Sequence, residues 1–347
     1  MHQPLSKATI EDIARVLHVT ASTVSRALNG HPAISEATKK AVSRTAQKLD
    51  YQHNKVASSL RLGKTRIIGV IIPSAEINFF GSVVHGIEKI ASEMDYSVLM
   101  FQSNELLDVE KKGVTTFMRS RVDGVLASLS KETTSLDHYL KLKNRGIPLV
   151  LFDRANDQLG VPSVVVNDYR GAYRATEHLI RQGCRRIAHI AGQQHVAIFK
   201  QRLEGYRDAL LHYDLPVDEK LIVYGKVTIE SGRQCMDELM LHNAAPDGVF
   251  AVEDFTALGA MQSLKEANIT IPDQVALIGF ANEAFGEYIS PSLSTVDQQT
   301  IRMGEEAARL FFELSANDTF YSSAPCKRML EPELIYRASS VRDVNAL

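Results

Sequence analysis

The spacing of apolar positions changes character once along the chain, near residue 66. Before that point apolar residues recur every three to four positions. Ile10, Ile13, Ala14 and Leu17 form one stripe, Val24, Ala27 and Leu28 a second, and Ala41, Val42, Thr45 and Leu49 a third. That period predicts three short amphipathic helices. Thr9, Thr20 and Ser35 are N-cap residue types at the three starts, with Glu11 and Asp12 in the first turn of the first helix. Val19 fills the turn between the first two, and Asn29-Gly30 stops the second. The outer face of the second helix carries Ser22, Ser25, Arg26 and Asn29. Two helices, a tight turn and a polar, arginine-bearing face predict a helix-turn-helix that presents its second helix to a DNA major groove. The competing reading is a three-helix bundle with a merely solvated polar face.

Residues 54–62, NKVASSLRL, are apolar only at Val56 and Leu60 on one face, behind Asn54 as a cap. A helix of about two turns is marginal alone in water, so it requires a partner, such as DNA or its own copy in a dimer. An exposed leucine at its end has the chemistry to wedge between base steps in the minor groove. The alternative is a plain linker helix.

From residue 66 the pattern becomes short, continuous apolar runs separated by amphipathic stretches. The runs are 66–72, 97–101, 122–127 and 148–152, followed by a second series at 163–166, 186–191, 221–224, 247–252 and 275–280. Continuous apolar strands alternating with helices predict parallel sheets covered on both faces. Two series predict two doubly wound, Rossmann-like α/β lobes. Ligands in such sheets bind beyond the carboxyl ends of the strands. That rule selects Phe79, Phe80, Ser128, Asp153, Glu253, Asp254 and Asn282, with Arg202 entering from the helix near Phe199 and Gln298 as a further candidate. Asp153 is also readable as a turn cap, and Phe79 and Phe80 as lobe core.

Charge sharpens the division. The whole chain is −2, but residues 1–64 carry ten Lys and Arg against four Asp and Glu. A +6 amino-terminal segment on a −8 body suggests an end that meets a polyanion. The opening MHQPLSKATIED has no apolar core, so a secretion signal is not expected. No uninterrupted apolar stretch approaches the roughly 20 residues that span a bilayer, so no membrane partner is expected and a cytoplasmic location is. Cys184, Cys235 and Cys326 are far apart and form no CxxC pair, which predicts reduced packing cysteines. No GxGxxG follows the first strand, and neither GxxxxGK[ST] nor GxSxG occurs, which argues against an enzyme on this fold. His178, His189 and His195 lack metal-ligand spacing, and no metal or cofactor is expected. A sugar receptor with no DNA role is the other competing class; the basic head argues against it.

Taken together, TIEDIARVLHVTASTVSRALNG, SEATKKAV, NKVASSL, RIIGVIIP, RVDGVLA, LVLFDR, GAYRATEHLIRQGCRRIAHIAG, QRLEGYRDAL and PSLSTVDQ make the chain resemble the lactose-repressor/purine-repressor family of bacterial transcription regulators. The resemblance spans essentially the whole sequence. It implies a head over 1–52, a hinge over 53–65 and a periplasmic-binding-protein-like core over 66–347. Within the core it places lobe 1 at 66–164 plus 297–325, and lobe 2 at 165–296 plus 326–347. It implies a homodimer on a pseudo-palindromic operator. Thr9, Thr20, Tyr51 and Asn54 stand at phosphate-contact positions, and Ala21, Ser22 and Arg26 at base-reading positions. Ala57 and Leu60 lie on the hinge, Leu60 as the intercalating residue. Phe79 or Phe80, Asp153 and Arg202 match effector contacts. Two positions depart from the family: Ala281 replaces a frequent effector-gripping Asp, and Glu253 a frequent Asn. With Arg202 kept, these departures suggest a sugar, with a sugar acid or sugar phosphate favoured. The tail RASSVRDVNAL lacks a leucine heptad, which predicts a dimer rather than a tetramer.

Overall fold

The computed structural model describes residues 8–51, 63–241, 245–316, 320–321 and 324–342. They fall into two compact units that divide between Thr65 and Arg66. Asn54, Ala57 and Leu60 lie outside the described residues.

The first unit holds helices α1 (Ile10–Leu17), α2 (Ala21–Leu28) and α3 (Glu36–Lys48). Each start is closed locally. Thr9 and Asp12 form a reciprocal capping box, the Thr20 hydroxyl accepts from Thr23 N–H at 3.2 Å, and Ser35 accepts from Thr38 N–H at 3.2 Å. His18 ends α1 in the left-handed conformation, which turns the chain sharply into α2. Ile13, Ala14, Val24, Ala27, Val42 and Ala46 are buried where the three helices meet.

The second unit contains two parallel sheets. Strands β1 (Ile67–Ile72), β2 (Ser97–Gln102), β3 (Gly124–Ala127), β4 (Leu149–Phe152), β5 (Ser163–Val166) and β11 (Lys327–Leu330) make the first, in the order β11-β5-β4-β3-β1-β2. It is flanked by α4 (Asn78–Glu93), α5 (Leu107–Ser120), α6 (Asp137–Asn144) and α12 (Thr300–Ser315). The second sheet is β7-β6-β8-β9, from β6 (Ile187–Ala191), β7 (Ile222–Tyr224), β8 (Gly248–Ala251) and β9 (Ala276–Ile278). Around it stand α7 (Asp168–Arg181), α8 (Ala197–His212), α9 (Ile229–Leu241), α10 (Asp254–Glu266) and the short α11 (Phe285–Tyr288). An antiparallel ribbon of β10 (Thr295–Asp297) and β12 (Glu333–Ile335) joins the lobes. Each sheet lies between apolar clusters on both faces, as uninterrupted Ile, Val and Leu runs require, except at the edge strand β2, where Leu99 and Met100 are exposed.

Strand 163–166 does not open the second sheet, as its place in the series suggested. It pairs with β4, and residues 327–330 pair with it in turn, so both belong to the first lobe. Strand spacing alone could not show this, because β5 is followed by a helix whichever sheet it joins. Three crossings of the chain between lobes lie together. Asn167 N–H donates to Leu330 O at 2.9 Å, and the side chains of Asn167 and Gln299 donate to Glu331. In the first lobe α4 and α12 cross at Gly86 and Gly304. A Cβ at Gly304 would lie 2.0 Å from the Val83 carbonyl oxygen, so glycine is what permits the approach.

Candidate DNA-reading face and effector cleft

In the head, Ser22, Arg26 and Asn29 are exposed along α2, and no acidic residue stands in its first turn. Asn29 donates its amide to Ser25 O at 2.8 Å. Ala21 is half-buried and packs partly against the head core, which leaves only part of its methyl for a base. Thr9 and Thr20 hydroxyls are engaged as caps, and Tyr51 packs at the edge of the core. The Ser22 hydroxyl shares a hydrogen bond with that of Thr20 at 2.8 Å, so the exposed charge of this face is that of Arg26.

In the second unit, the carboxyl ends of the two sheets face one another across a narrow cleft that encloses about 390 Å³ of space, open solvent at its mouth included. Lobe 1 contributes Ile77, Phe79, Phe80, Asp153 and Arg154; lobe 2 contributes Ile198, Arg202, Glu253, Asp254, Phe255, Ala281 and Glu283, and Gln298 follows the ribbon strand β10. Of the expected cluster, Phe79, Phe80, Asp153, Arg202, Glu253, Asp254 and Gln298 come together here. Phe79 and Phe80 meet edge to face at 5.0 Å, and both are also part of the first lobe's apolar core. The two readings of these residues are therefore compatible.

Ser128 and Asn282 do not line the cleft. Ser128 is buried behind it and donates its hydroxyl to Asp153 at 3.2 Å, which positions that carboxylate. Asn282 is turned into its own lobe, donating to Asp297 at 2.9 Å and accepting from Arg337 at 2.9 Å. Its neighbour Ala281 reaches the cleft in place of Asn282, with a φ of 128° unusual for alanine.

Arg202 bears on another expectation, that its charge needs an anionic or hydroxyl partner and so suits a sugar acid or sugar phosphate. It is 1% exposed, and its Nε and Nη2 reach Oδ1 of Asp168 at 2.8 and 2.7 Å. Nη1 donates to Val252 O at 2.7 Å, Nη2 to Gln298 at 3.3 Å, and the guanidinium lies 3.6 Å from the centre of the Phe280 ring. Asp168, itself 2% exposed, supplies the countercharge that sequence reading did not assign. Arg154 is likewise engaged, donating from Nη1 to both oxygens of Glu105 at 2.8 and 2.9 Å. Its Nε, however, is buried without a hydrogen-bond partner among the described residues.

The cleft carboxyls are held unusually high. Burial pushes Asp153 up to about 6, with Arg154 pulling the other way. Burial pushes Asp254 to about 6, against hydrogen bonds from Thr295 and the Glu283 amide. Glu283, 4% exposed, is pushed to about 7 by burial and then by Asp254, while the Phe79 amide donates to it from the opposite lobe. These residues, with Phe255, complete a site whose signal was present in part. Arg154 follows Asp153 directly, Glu283 lies two positions beyond Ala281, and Asp168 follows a strand that had been assigned to the other sheet.

A two-lobed ligand receptor in the same chain as a helix-turn-helix head defines a class of ligand-responsive DNA-binding proteins. Residues 9–54 match the model for bacterial regulatory proteins of the lacI family, and residues 176–340 match the periplasmic binding protein-like domain. The transcriptional repressor PurR of Vibrio atlanticus (strain LGP32) is 31% identical over 340 residues, covering 97% of this chain and 100% of its own. A solved complex of the transcriptional regulator CelR with cellobiose is 30% identical, with a TM-score of 0.73 over 96% of this chain and 99% of that one. The lac repressor dimer bound to operator and the anti-inducer ONPF, at 22% identity, gives a TM-score of 0.86 over 97% and 100% of the two chains, which shows a shared fold. The chain belongs to the lacI family of bacterial regulatory proteins. Its predicted fold class is borne out, and its activity is regulation of transcription rather than catalysis.

Proposed function

We propose that this protein is a repressor that acts as a homodimer on a pseudo-palindromic operator, and that a sugar or sugar derivative bound in the cleft controls it. The observation that carries the reading is that a basic head with an exposed Ser22–Arg26 face and a cleft lined from both lobes by charged and aromatic side chains occur in one chain. Arg26 pairs bidentately with a guanine edge, Ser22 reaches a neighbouring base, and Ala21 offers at most a methyl contact to thymine. Thr9, Thr20, Tyr51 and Asn54 hold phosphates, while Ala57 and Leu60 act in the minor groove. With so little base readout, specificity leans on operator shape and on the spacing of two heads.

The cleft's guanidinium groups already have carboxylate partners, and further carboxyls remain over. An anionic sugar acid or phosphate therefore suits it poorly; hydroxyl donors suit it well. Ligand binding changes the angle between lobes and with it the competence of the hinge for DNA. A coupling of about 1–3 kcal/mol changes operator affinity roughly 5- to 150-fold.

A gel-shift on the protein's own promoter region, with and without a panel of sugars, tests this. The expected result is a specific shift whose midpoint moves with one panel member. Absence of DNA binding under every condition refutes it.

A further inference from the structure

Charge in and behind the cleft does not balance. Glu105, Asp153, Asp168, Glu253, Asp254 and Glu283 converge there. Against them stand Lys131, Arg154 and Arg202, with Arg337 acting on Asp254 from behind. Glu105 engages both Arg154 and Lys131, Asp168 engages Arg202, and Arg337 is drawn to Glu287 at 3.0 Å. Asp153 lies 3.9 Å from Arg154 Nε, beyond hydrogen-bond reach, and Asp254 is held by the Thr295 hydroxyl at 2.7 Å and the Glu283 amide at 2.8 Å.

Glu253 and Glu283 therefore face the cleft with no cation bonded to either among the described residues. The negative field of Glu253 reaches Asp153, Asp168, Asp254 and Glu283 and pushes all four upward, and it also acts on Arg154, which Glu105 already engages. Glu283 is 4% exposed, lines the cleft and takes its hydrogen bond from a neutral donor, the Phe79 amide. The site thus asks for a cation.

We propose that the effector is a small polyhydroxylated molecule carrying one protonated amine, its ammonium between Glu253 and Glu283. An amino sugar has this chemistry. The proposal rests on the cleft being the effector site. Entry of the ammonium favours the ionised Glu283 carboxylate, so the minority of sites still protonated near pH 7.5 give up their proton to solvent. One N–H···O ion pair forms, with no covalent bond changed. A neutral sugar leaves that protonated fraction in place.

Calorimetry on the full chain tests this with glucosamine, galactosamine and mannosamine against glucose, galactose, mannose, N-acetylglucosamine and gluconate. One amino sugar is expected to bind at least about tenfold more tightly than its parent hexose at pH 7.5, as one charge-assisted hydrogen bond provides. Its affinity is expected to fall as pH is lowered to 5.5, and its binding heat to depend on the buffer's ionisation enthalpy through proton release. Glu253→Gln and Glu283→Gln are each expected to remove the amino-sugar preference.

A parent sugar that binds as tightly as its amino form, a preference that survives both Gln changes, or no amino-sugar binding at all overturns the proposal. Ile198→Trp separates the two levels of inference, because it fills the cleft. Neutral-sugar binding that this change abolishes keeps the cleft as the effector site and overturns only the amine. Binding that survives it, with the circular dichroism spectrum unchanged, overturns the cleft itself.

Discussion

The head and the cleft use arginine in opposite ways. Arg26 stands exposed on α2, with its charge directed at solvent. Arg202 is almost wholly buried and held by Asp168, Val252 O, Gln298 and the Phe280 ring. The first arginine is available to a polyanion, and its loss leaves nothing behind in the fold. The second is already satisfied, so it organises the floor of the cleft instead of offering its charge to solvent. An arginine conspicuous in a sequence is thus a poor guide to ligand charge until its partner is known.

The largest effect that would break this contrast comes from Arg202→Ala. It leaves Asp168 buried and unpaired, and is expected to destabilise the core by about 3–5 kcal/mol. Urea unfolding measures it; a loss below about 1 kcal/mol would show the pair to be dispensable. Asp168→Asn should also destabilise, and the double change should cost less than the sum of the two, since both single changes break the same pair.

Arg26→Ala lies at the other pole. Operator affinity should fall by about 1–3 kcal/mol and discrimination should relax at one base position, with stability unchanged. Fluorescence anisotropy on operator variants reads both, and an equal loss on every sequence would reduce Arg26 to a phosphate contact.

Glu283→Gln tests the crowding of carboxyls in the ligand-free cleft. A carboxyl raised in the folded state binds its proton more tightly there than in the unfolded chain. The stability contributed by the protonated form is therefore present at low pH and lost as pH rises from the ordinary carboxylate range through about 7. The Gln variant should be more stable than the parent at pH 8, by about 2 kcal/mol at most, with the gap closing toward pH 5. Denaturation midpoints at the two pH values decide it, and a gap independent of pH would contradict the account. The smallest expected effect is Thr20→Ala, which removes the α2 cap and should cost the head about 1 kcal/mol, with Thr20→Ser restoring most of it in a thermal melt.

The helices of the head were legible from sequence because each stripe, cap and stop lies within a few positions of the others, as Thr9 with Asp12 or Thr20 with Thr23. The long apolar strands were legible for the same reason. The short strands β10, β11 and β12 were not. Lys327–Leu330 is exposed or half-exposed at its first three positions and reads as an irregular polar stretch until β5 is beside it. The cleft was legible as a location, since strand ends mark it: Phe79, Phe80, Asp153, Glu253 and Asp254 were selected that way, with Arg202 and Gln298 beside them. Their partners were not.

The sequence by itself determined the helical head, the two-lobed parallel architecture and the family, all of which follow from local periodicity, capping and ordered motifs. Only the tertiary structure decided that Asp168 neutralises Arg202, that Asn282 turns inward while Ala281 and Glu283 line the cleft, and that Arg154 Nε is left without an acceptor among the described residues. These are consequences of charge and burial among groups brought together from distant segments. A carboxylate's role depends on which cation lies within about 4 Å of it, and no local pattern in the chain encodes that distance.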